Sequence, residues 1–353
     1  MMTSASSLTS SLLLAALLLT SIARAMAQSG GDDMNLALPT ENDAIFRGGG
    51  AQFYQYITRN FKGVKSTPWQ GGQYGFVRDP VDTSGGLVYS RFHEGIDIKP
   101  VRRDASGEPL DEVRAIAAGR VVHTNLASGS SNYGRYVVVE HRWDGASYHS
   151  LYGHLASITV ERGATVARGA QLGIMGHTGT GLDRTRAHLH LELNLLLSPR
   201  FESWYDHFIK NDPNRHGIYN GVNLTGIDIA RFYLAQRKNP GLTVPQFLSG
   251  EDTFYKVKLP PTRNFDLPRR YPWLLRTSSD ASPASWEVSF NNAGVPLKVA
   301  ASDTPVDTPT ISFVQKRGSN YSNYTRGVVT GSGARARFSE SGQRLMRLLT
   351  WPD

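Results

Sequence analysis

Between about residue 87 and residue 197, short runs of β-branched and aliphatic residues alternate with glycines. Runs of this kind, bounded by turn-forming residues, are typical of β-strands. Four of them are clear, at residues 119–123, 136–140, 158–160 and 172–175. The pattern predicts a compact antiparallel β-sheet domain over residues 85–200, and therefore a mainly β fold class.

The segments on either side of this domain have a different texture. Residues 28–84 are rich in glycine, serine, aspartate and asparagine, with a short aromatic run near Phe53, so we interpret them as a lead-in with one short helix. Residues 201–353 contain helical patterns and candidate strands, at residues 227–237, 286–290, 310–314, 327–330 and 343–349. We therefore expect a mixed α/β C-terminal extension, an accessory region that carries no catalytic signature.

Two roles are open for this C-terminal extension, and we expect the first, in which it positions the protein on its substrate. Basic side chains such as Arg263, Arg269 and Arg335 could hold the protein on an anionic polymer. Equally, the region could pack against the β domain and stabilise it. In the first case a chain that ends near Ser198 stays folded, and in the second case it does not.

The N-terminus carries an apolar run at residues 12–22, followed by Ala23-Arg24-Ala25 and Ala25-Met26-Ala27. Small residues spaced in this way after an apolar segment are typical of a secretory cleavage site. A membrane span needs about 20 apolar residues, so this run is too short for one. The sequence predicts a signal peptide over residues 1–27 and export to the periplasm or the extracellular space, with no integral membrane span after the signal is removed.

The chain has 353 residues, no cysteine and a formal net charge of +8. The absence of cysteine excludes disulfides, thiolate catalysis and cysteine-ligated zinc sites. Any metal ligands must therefore be histidine, aspartate or glutamate. The basic charge could attract an anionic polymer of the bacterial envelope, but the lysines and arginines are scattered, which fits an ordinary soluble surface equally well.

Three short phrases contain the informative histidines. The last is His188-Leu189-His190-Leu191-Glu192. On a β-strand the leucines would face the core, and the two imidazoles and the carboxylate would share the opposite face. The two histidines would lie about 7 Å apart at Cα. One could then hold a metal ion while the other contacts a substrate on that ion.

The other two phrases are Phe92-His93-Glu94-Gly95-Ile96-Asp97 and Tyr152-Gly153-His154-Leu155. In a straight strand His93 and Asp97 would lie about 13 Å apart, too far to share a zinc ion with bonds of about 2 Å. The chain must therefore bend between them, and Gly95 permits the bend. Two imidazoles and one carboxylate make a three-ligand zinc set, and a catalytic zinc site keeps its fourth position for water. The remaining imidazoles could accept a proton or stabilise an oxyanion.

In order and spacing, these three phrases resemble the sequence motifs of the zinc endopeptidases typified by lysostaphin and its LytM relatives. The resemblance covers about residues 92–192. It implies a metallopeptidase domain that binds one zinc ion per chain through His93, Asp97 and His190. It also implies that His154 and His188 form the catalytic pair. The resemblance does not divide the roles between them, and we assign the general base to His188 and the transition-state stabiliser to His154.

The implied substrate is peptidoglycan, in which the protein would hydrolyse peptide bonds of stem peptides or cross-bridges. Nucleic acid is not an expected partner. Glu192 would orient an imidazole from behind, and His177 would be a surface residue of a glycine-rich loop. Two alternatives stay open: a catalytically inactive relative that binds the wall or activates an amidase, and a β protein with coincidental histidines. Stoichiometric zinc and turnover of a cross-linked peptide would separate them.

Overall fold

The structure, a computed structural model, describes residues 34–276, 282–318 and 320–352. The predicted signal peptide, residues 1–27, lies outside the described residues. In the part of the chain that is described, no helix has both the length and the apolar character that a membrane span requires.

The prediction of a mainly antiparallel β fold is confirmed, since every pair of strands in the described sheets runs antiparallel. The strands are β1 (Arg59–Phe61), β2 (Val64–Ser66), β3 (Gly75–Thr83), β4 (Gly86–His93), β5 (Ile96–Ile98), β6 (Glu112–Arg114), β7 (Gly119–Asn125), β8 (Tyr136–Trp143), β9 (Ala146–Gly153), β10 (Ser157–Ile158), β11 (Thr165–Val166), β12 (Gln171–Ile174), β13 (Leu189–Leu196), β14 (Leu224–Gly226), β15 (Tyr255–Leu259), β16 (Ser285–Phe290), β17 (Pro296–Ser302), β18 (Thr310–Val314), β19 (Val329–Thr330) and β20 (Arg337–Phe338).

Helices lie mainly in the C-terminal extension. The α-helices are α1 (Gly50–Phe53), α2 (Phe201–Phe208), α3 (Ile229–Lys238), α4 (Val244–Ser249), α5 (Leu267–Arg270) and α6 (Glu340–Leu348). Short 3₁₀-helices lie at Ala44–Arg47, Trp69–Gly72, Arg184–Arg186, Gly217–Tyr219, Pro272–Leu274, Tyr321–Tyr324 and Gly333–Arg335.

The largest sheet has the order β11-β7-β8-β9-β13-β14, and β5 also pairs with β13. Its central strands are buried on both faces. Along β8, Val137 and Val139 join the main hydrophobic core, whereas Tyr136 and Val138 join a second apolar cluster on the other face. This division follows from strand alternation, because successive side chains point to opposite faces of a sheet. The buried sheet is the rigid base on which the site is built.

The predicted elements of the C-terminal extension appear with shifted bounds. The predicted helix at 227–237 is α3, which begins after Asp228, whose side chain accepts a hydrogen bond from the Arg231 N–H at 3.0 Å. In the β domain, the strand predicted at residues 158–160 is shorter than expected and lies at Ser157–Ile158. Strands β15 and β17 were not predicted, and they complete a four-stranded sheet of order β17-β16-β15-β18.

The C-terminal extension packs directly onto the large sheet. Strand β14 pairs with residues 194–196 of β13. The Leu196 N–H donates to the hydroxyl of Tyr271 at 2.8 Å, and Arg270 donates to the Leu196 and Leu197 carbonyls at 2.6 and 2.5 Å. The buried residues of α3 belong to the same hydrophobic core as the leucines of β13. These contacts are the ones expected if the extension packs against the β domain and stabilises it. The domain boundary at residue 200 stays a prediction.

Two buried histidines of the sheet give a prediction about acid stability. Burial lowers the pKa of His141 on β8 and of His149 on β9 to about 4. The neutral His141 is satisfied, since its Nδ1 meets the Ala118 carbonyl at 2.8 Å and its Nε2 meets the Ser150 hydroxyl at 2.7 Å.

In the unfolded chain a histidine has a pKa of about 6.5. The stability that each neutral imidazole contributes is therefore fully present above pH 6.5 and is lost as the pH falls from 6.5 towards 4. Between pH 7 and pH 5 we expect the free energy of unfolding to fall by about 2 kcal/mol for each group. Denaturant titrations at several pH values measure this change. The prediction is wrong if His141→Gln has the same pH dependence as the unmodified protein.

Candidate metal centre

Strands β4, β5 and β13 bring the predicted metal ligands together. His93 ends β4, and Asp97 on β5 pairs in register with His190 on β13. The chain bends at Gly95, where an added Cβ would lie 2.3 Å from the Leu191 carbonyl oxygen. The glycine is therefore required for the close approach of two backbones. The bend predicted between His93 and Asp97 therefore lies at Gly95.

Three donor atoms form a nearly equilateral triangle. His93 Nε2 lies 3.2 Å from His190 Nδ1 and 3.1 Å from Asp97 Oδ1, and His190 Nδ1 lies 3.0 Å from Asp97 Oδ1. In a tetrahedral zinc site with bonds of about 2.0 Å, neighbouring ligand atoms lie about 3.3 Å apart. All three side chains are buried. The donor set, its spacing and its burial fit a zinc ion.

In His93 and His190, the ring nitrogen that points away from the triangle lies within hydrogen-bond distance of an oxygen acceptor. His93 Nδ1 lies 2.8 Å from the Gln73 carbonyl oxygen, and His190 Nε2 lies 2.8 Å from Glu192 Oε1. A carbonyl oxygen only accepts, so the proton of neutral His93 is on Nδ1 and the lone pair of Nε2 faces the donor triangle. Partners of this kind fix the tautomer and the ring orientation of metal ligands.

Glu192 is fully buried behind His190, in the orienting position that the sequence suggested. The Tyr133 hydroxyl donates to its Oε1 at 2.8 Å, and the Asn194 amide donates to its Oε2 at 2.8 Å. Burial, together with the Glu192 charge, raises the pKa of Tyr133 well above its ordinary value, so this hydroxyl stays protonated. Tyr133 was not found from the sequence, because nothing close to it in the chain points to Glu192.

Asp97 is held from its other side by Arg78 on β3. The guanidinium Nη2 lies 2.6 Å from Asp97 Oδ2, and its Nε donates to the Gly71 carbonyl at 2.8 Å. Burial opposes ionisation of Asp97, but His93, His188 and Arg78 outweigh it and hold the pKa of this carboxyl well below its usual range. Asp97 is therefore an ionised carboxylate. Its Oδ2 pairs with Arg78, and its Oδ1 faces the imidazoles of His93 and His190.

Without a metal ion, a proton on His190 takes the place of a cation between two carboxylates. Burial disfavours the imidazolium, but the hydrogen bonds with Asp97 and Glu192 raise the pKa of His190 to about 10. A metal cation at the triangle would replace that proton. The charge of the surrounding residues therefore favours a cation at this position.

His154 and His188 lie side by side next to the triangle, with ring centroids 4.6 Å apart. His154 Nδ1 lies 2.9 Å from the Thr178 carbonyl oxygen, and His188 Nδ1 lies 2.6 Å from the Arg186 carbonyl oxygen. In its neutral form, each ring therefore presents a free lone pair at Nε2. His188 Nε2 lies 3.3 Å from Asp97 Oδ1.

The backbone at His154 is strained. Its φ of 64° is in the left-handed region, which non-glycine residues rarely adopt and which is found preferentially at functional sites. Burial, and then His188 and His190, hold the pKa of His154 well below its ordinary value. His154 is therefore neutral at pH 7 in the structure.

The other histidines lie outside this cluster. His177 Nε2 lies 3.1 Å from Glu108 Oε2, and its side chain is partly exposed, as expected for a surface loop. Five further histidines had no role assigned from the sequence. In the described part of the chain, none of them belongs to a group of residues that could share a metal ion; they are His123, His141, His149, His207 and His216.

A cavity of about 700 Å³ opens over the site. The three predicted ligands and the two predicted catalytic histidines all line it. The arrangement can therefore place a metal cation, two further imidazoles and a peptide-sized molecule in one space.

Comparisons with known proteins agree with this geometry. Residues 91–199 match the model of peptidase family M23. An uncharacterized metalloprotease from Haemophilus influenzae is 33% identical over 105 residues, which are 30% of this chain and 19% of that protein. The peptidoglycan DD-endopeptidase ShyA from Vibrio cholerae is 43% identical over 60 residues, 17% of this chain and 13% of that protein. The matches thus span less than a fifth of the length of either relative.

Two solved structures are also similar to part of the chain. The catalytic domain of lysostaphin from Staphylococcus simulans is 27% identical, with a TM-score of 0.24, and the match covers 35% of this chain and 82% of that one. A zinc-containing peptidase from Vibrio cholerae is 25% identical, with a TM-score of 0.25, and the match covers 40% and 36% of the two chains. On the match to the family model, the segment from residue 91 to residue 199 belongs to peptidase family M23.

Proposed function

We propose that this protein is an exported, zinc-dependent endopeptidase that hydrolyses peptide bonds in the stem peptides or cross-bridges of peptidoglycan. The observation that carries the proposal is the donor triangle, whose edges of 3.0, 3.1 and 3.2 Å suit one zinc ion. Membership of residues 91–199 in a peptidase family supports the reaction type. The named activity of the ShyA relative and the net charge of +8 support an anionic wall polymer as substrate.

In this proposal His93 Nε2, Asp97 Oδ1 and His190 Nδ1 hold the ion. Zinc, when bound, supplies a Lewis acid that polarises a carbonyl and makes a water molecule acidic. Gln73, Glu192 and Arg78 hold the ligands in the orientation that directs their lone pairs inward.

His154 and His188 provide proton transfer. A neutral imidazole whose Nδ1 proton is engaged accepts a proton at Nε2, and after accepting it becomes a donor that can stabilise an oxyanion. We assign the general base to His188 and the stabiliser to His154. The low pKa of His154 makes its neutral form the resting one, so the proton that it donates at Nε2 would have to come from the water molecule or the substrate during the reaction.

The metal assignment is tested by zinc analysis of the purified full chain. We expect about one zinc ion per chain in the unmodified protein, and none in His93→Ala, Asp97→Ala or His190→Ala, because each change removes one of three ligands. His177→Ala removes an imidazole outside the cluster and is expected to keep the ion. Full zinc retention by all three ligand variants would contradict the assignment.

The reaction is tested on purified sacculi, with mass spectrometry of the released peptides. We expect new amino termini with the unmodified protein and none after chelation of the metal. A protein that binds zinc and sacculi but creates no new amino termini would instead be the inactive wall-binding or amidase-activating relative.

A further inference from the structure

The charges around the cavity do not balance. Of its four arginines, two are paired: Arg78 with Asp97 at 2.6 Å, and Arg91 with Asp79 at 3.8 Å. The other two are Arg186 and Arg326. A zinc ion at the donor triangle would add two further positive charges. The space over the site is therefore arranged for an anion.

Arg186 forms no ion pair with a carboxylate of the described residues. Its side chain is half-buried, and its Nε is buried with no hydrogen-bond partner among the described residues. The nearest carboxylate along the chain, Asp183, accepts hydrogen bonds from the Thr185 and Arg186 backbone N–H groups, and within the described ranges no carboxylate lies within 4.0 Å of the Arg186 guanidinium. The Nη atoms of Arg186 are not buried and also have no hydrogen-bond partner among the described residues, so a carboxylate that contacts them from the cavity gains free energy.

Arg326 reaches the same cavity from the C-terminal extension. Its guanidinium carbon lies 5.1 Å from the centre of the Phe92 ring, which positions the exposed charge by a cation–π contact. Glu94 also lines the cavity. Among the described residues neither arginine has a carboxylate within 4.0 Å, and of the two only Arg186 has a buried nitrogen without a hydrogen-bond partner.

We infer that Arg186, assisted by Arg326, is a specificity-determining subsite for a carboxylate of the bound peptide. This inference rests on the proposed function, and it adds that the substrate is an acidic peptide. An arginine fork matches a carboxylate with two parallel hydrogen bonds, which gives both affinity and orientation. The carboxylate is either a side chain within the peptide or the C-terminal group, and the chemistry of recognition is the same.

The test measures binding of synthetic peptide pairs to the zinc-loaded full chain. In the first pair both termini are blocked, and the peptides differ only in an internal glutamate or glutamine. In the second pair no acidic side chain is present, and the peptides differ only in a free or amidated C-terminus. We expect the acid of one pair to bind about ten- to a hundredfold more tightly than its neutral partner, the gain typical of charge-assisted hydrogen bonds. The pair that shows the preference identifies the source of the carboxylate.

The Arg186→Gln variant is expected to bind the acid and the neutral peptide of that pair within about threefold of one another. Arg186→Lys, which keeps the charge but loses the fork, should retain part of the preference. Arg91→Gln is the matched control, because it removes an arginine that already has a partner in the cavity, and it should keep the full preference. Equal binding of acid and neutral peptides in both pairs, or an undiminished preference in Arg186→Gln, overturns the inference.

Cleavage of the same peptides is followed separately by mass spectrometry. If a peptide is turned over, Arg186→Gln should raise KM for the acid form and leave kcat within a few-fold, because the subsite binds the substrate and does not contact the reacting atoms. A carboxylate preference without cleavage of any peptide or sacculus refutes the proposed function and leaves the subsite standing. Cleavage without a carboxylate preference refutes the subsite and leaves the proposed function standing.

Discussion

Replacing His154 or His188 with alanine is expected to lower peptide turnover by a hundredfold or more while the protein keeps about one zinc ion per chain. Neither imidazole is part of the donor triangle, and both line the cavity above it. Their Nδ1 atoms are engaged by the Thr178 and Arg186 carbonyls, which leaves Nε2 for proton transfer. Initial rates on a soluble peptide and zinc analysis of the same samples test both parts.

The zinc measurement matters most for His188, whose Nε2 lies only 3.3 Å from Asp97 Oδ1. If His188→Ala loses the ion, His188 is a ligand and the assignment must change. If either variant turns over peptide at the normal rate, its role in catalysis is refuted. His177→Ala, in the neighbouring glycine-rich loop, is the matched control and should behave like the unmodified protein.

A chain that ends near Ser198 is expected not to fold. The truncation removes β14 from the edge of β13, removes Tyr271 and Arg270, and exposes the core against which α3 packs. The truncation also removes apolar side chains that pack on this core, and each fully buried side chain of this kind contributes about 1.5–3 kcal/mol. Since single domains are stable by only about 5–15 kcal/mol, the sum is large enough to unfold the protein. Circular dichroism and thermal denaturation of the truncated chain measure this.

A point variant tests the same packing in the full chain. Phe232 on α3 is fully buried, so Phe232→Ala should lower the free energy of unfolding by about 3–5 kcal/mol. Leu234 lies on the same helix but is 39% exposed, and Leu234→Ala should cost less than about 1 kcal/mol. A truncated chain that unfolds cooperatively at the normal temperature would show that the extension is only accessory.

The centre of the site was predictable because its information is local. In residues 188–192 the alternation of leucines with polar residues specifies which side chains enter the core, and the structure buries Leu189 and Leu191 completely. The His93 to Asp97 spacing required a bend, and the glycine between them showed where it could occur. The short strands of the β domain follow from β-branched runs bounded by glycine for the same reason.

The remainder depends on contacts between distant parts of the chain. Arg78 and Tyr133 reach Asp97 and Glu192 across 19 and 59 residues. Nothing in the local pattern around either residue specifies a buried carboxylate as its partner. The docking of the C-terminal extension likewise depends on Arg270 and Tyr271, which carry no motif. Arginine and tyrosine at such positions are indistinguishable from surface residues until the fold is known.

The supports of the metal ligands extend beyond the segment that sequence comparison recognises. Gln73, which fixes the tautomer of His93, and Arg78, which engages Asp97, both precede residue 91, where the family match begins. A fragment cut at the limits of that match would keep every predicted ligand yet leave His93 free to rotate and Asp97 without its guanidinium. Grafting the donor triangle onto another scaffold would therefore require the β3–β4 hairpin to be carried along. The portable unit begins no later than Gly71 and therefore starts before residue 91, where the match to the family model begins.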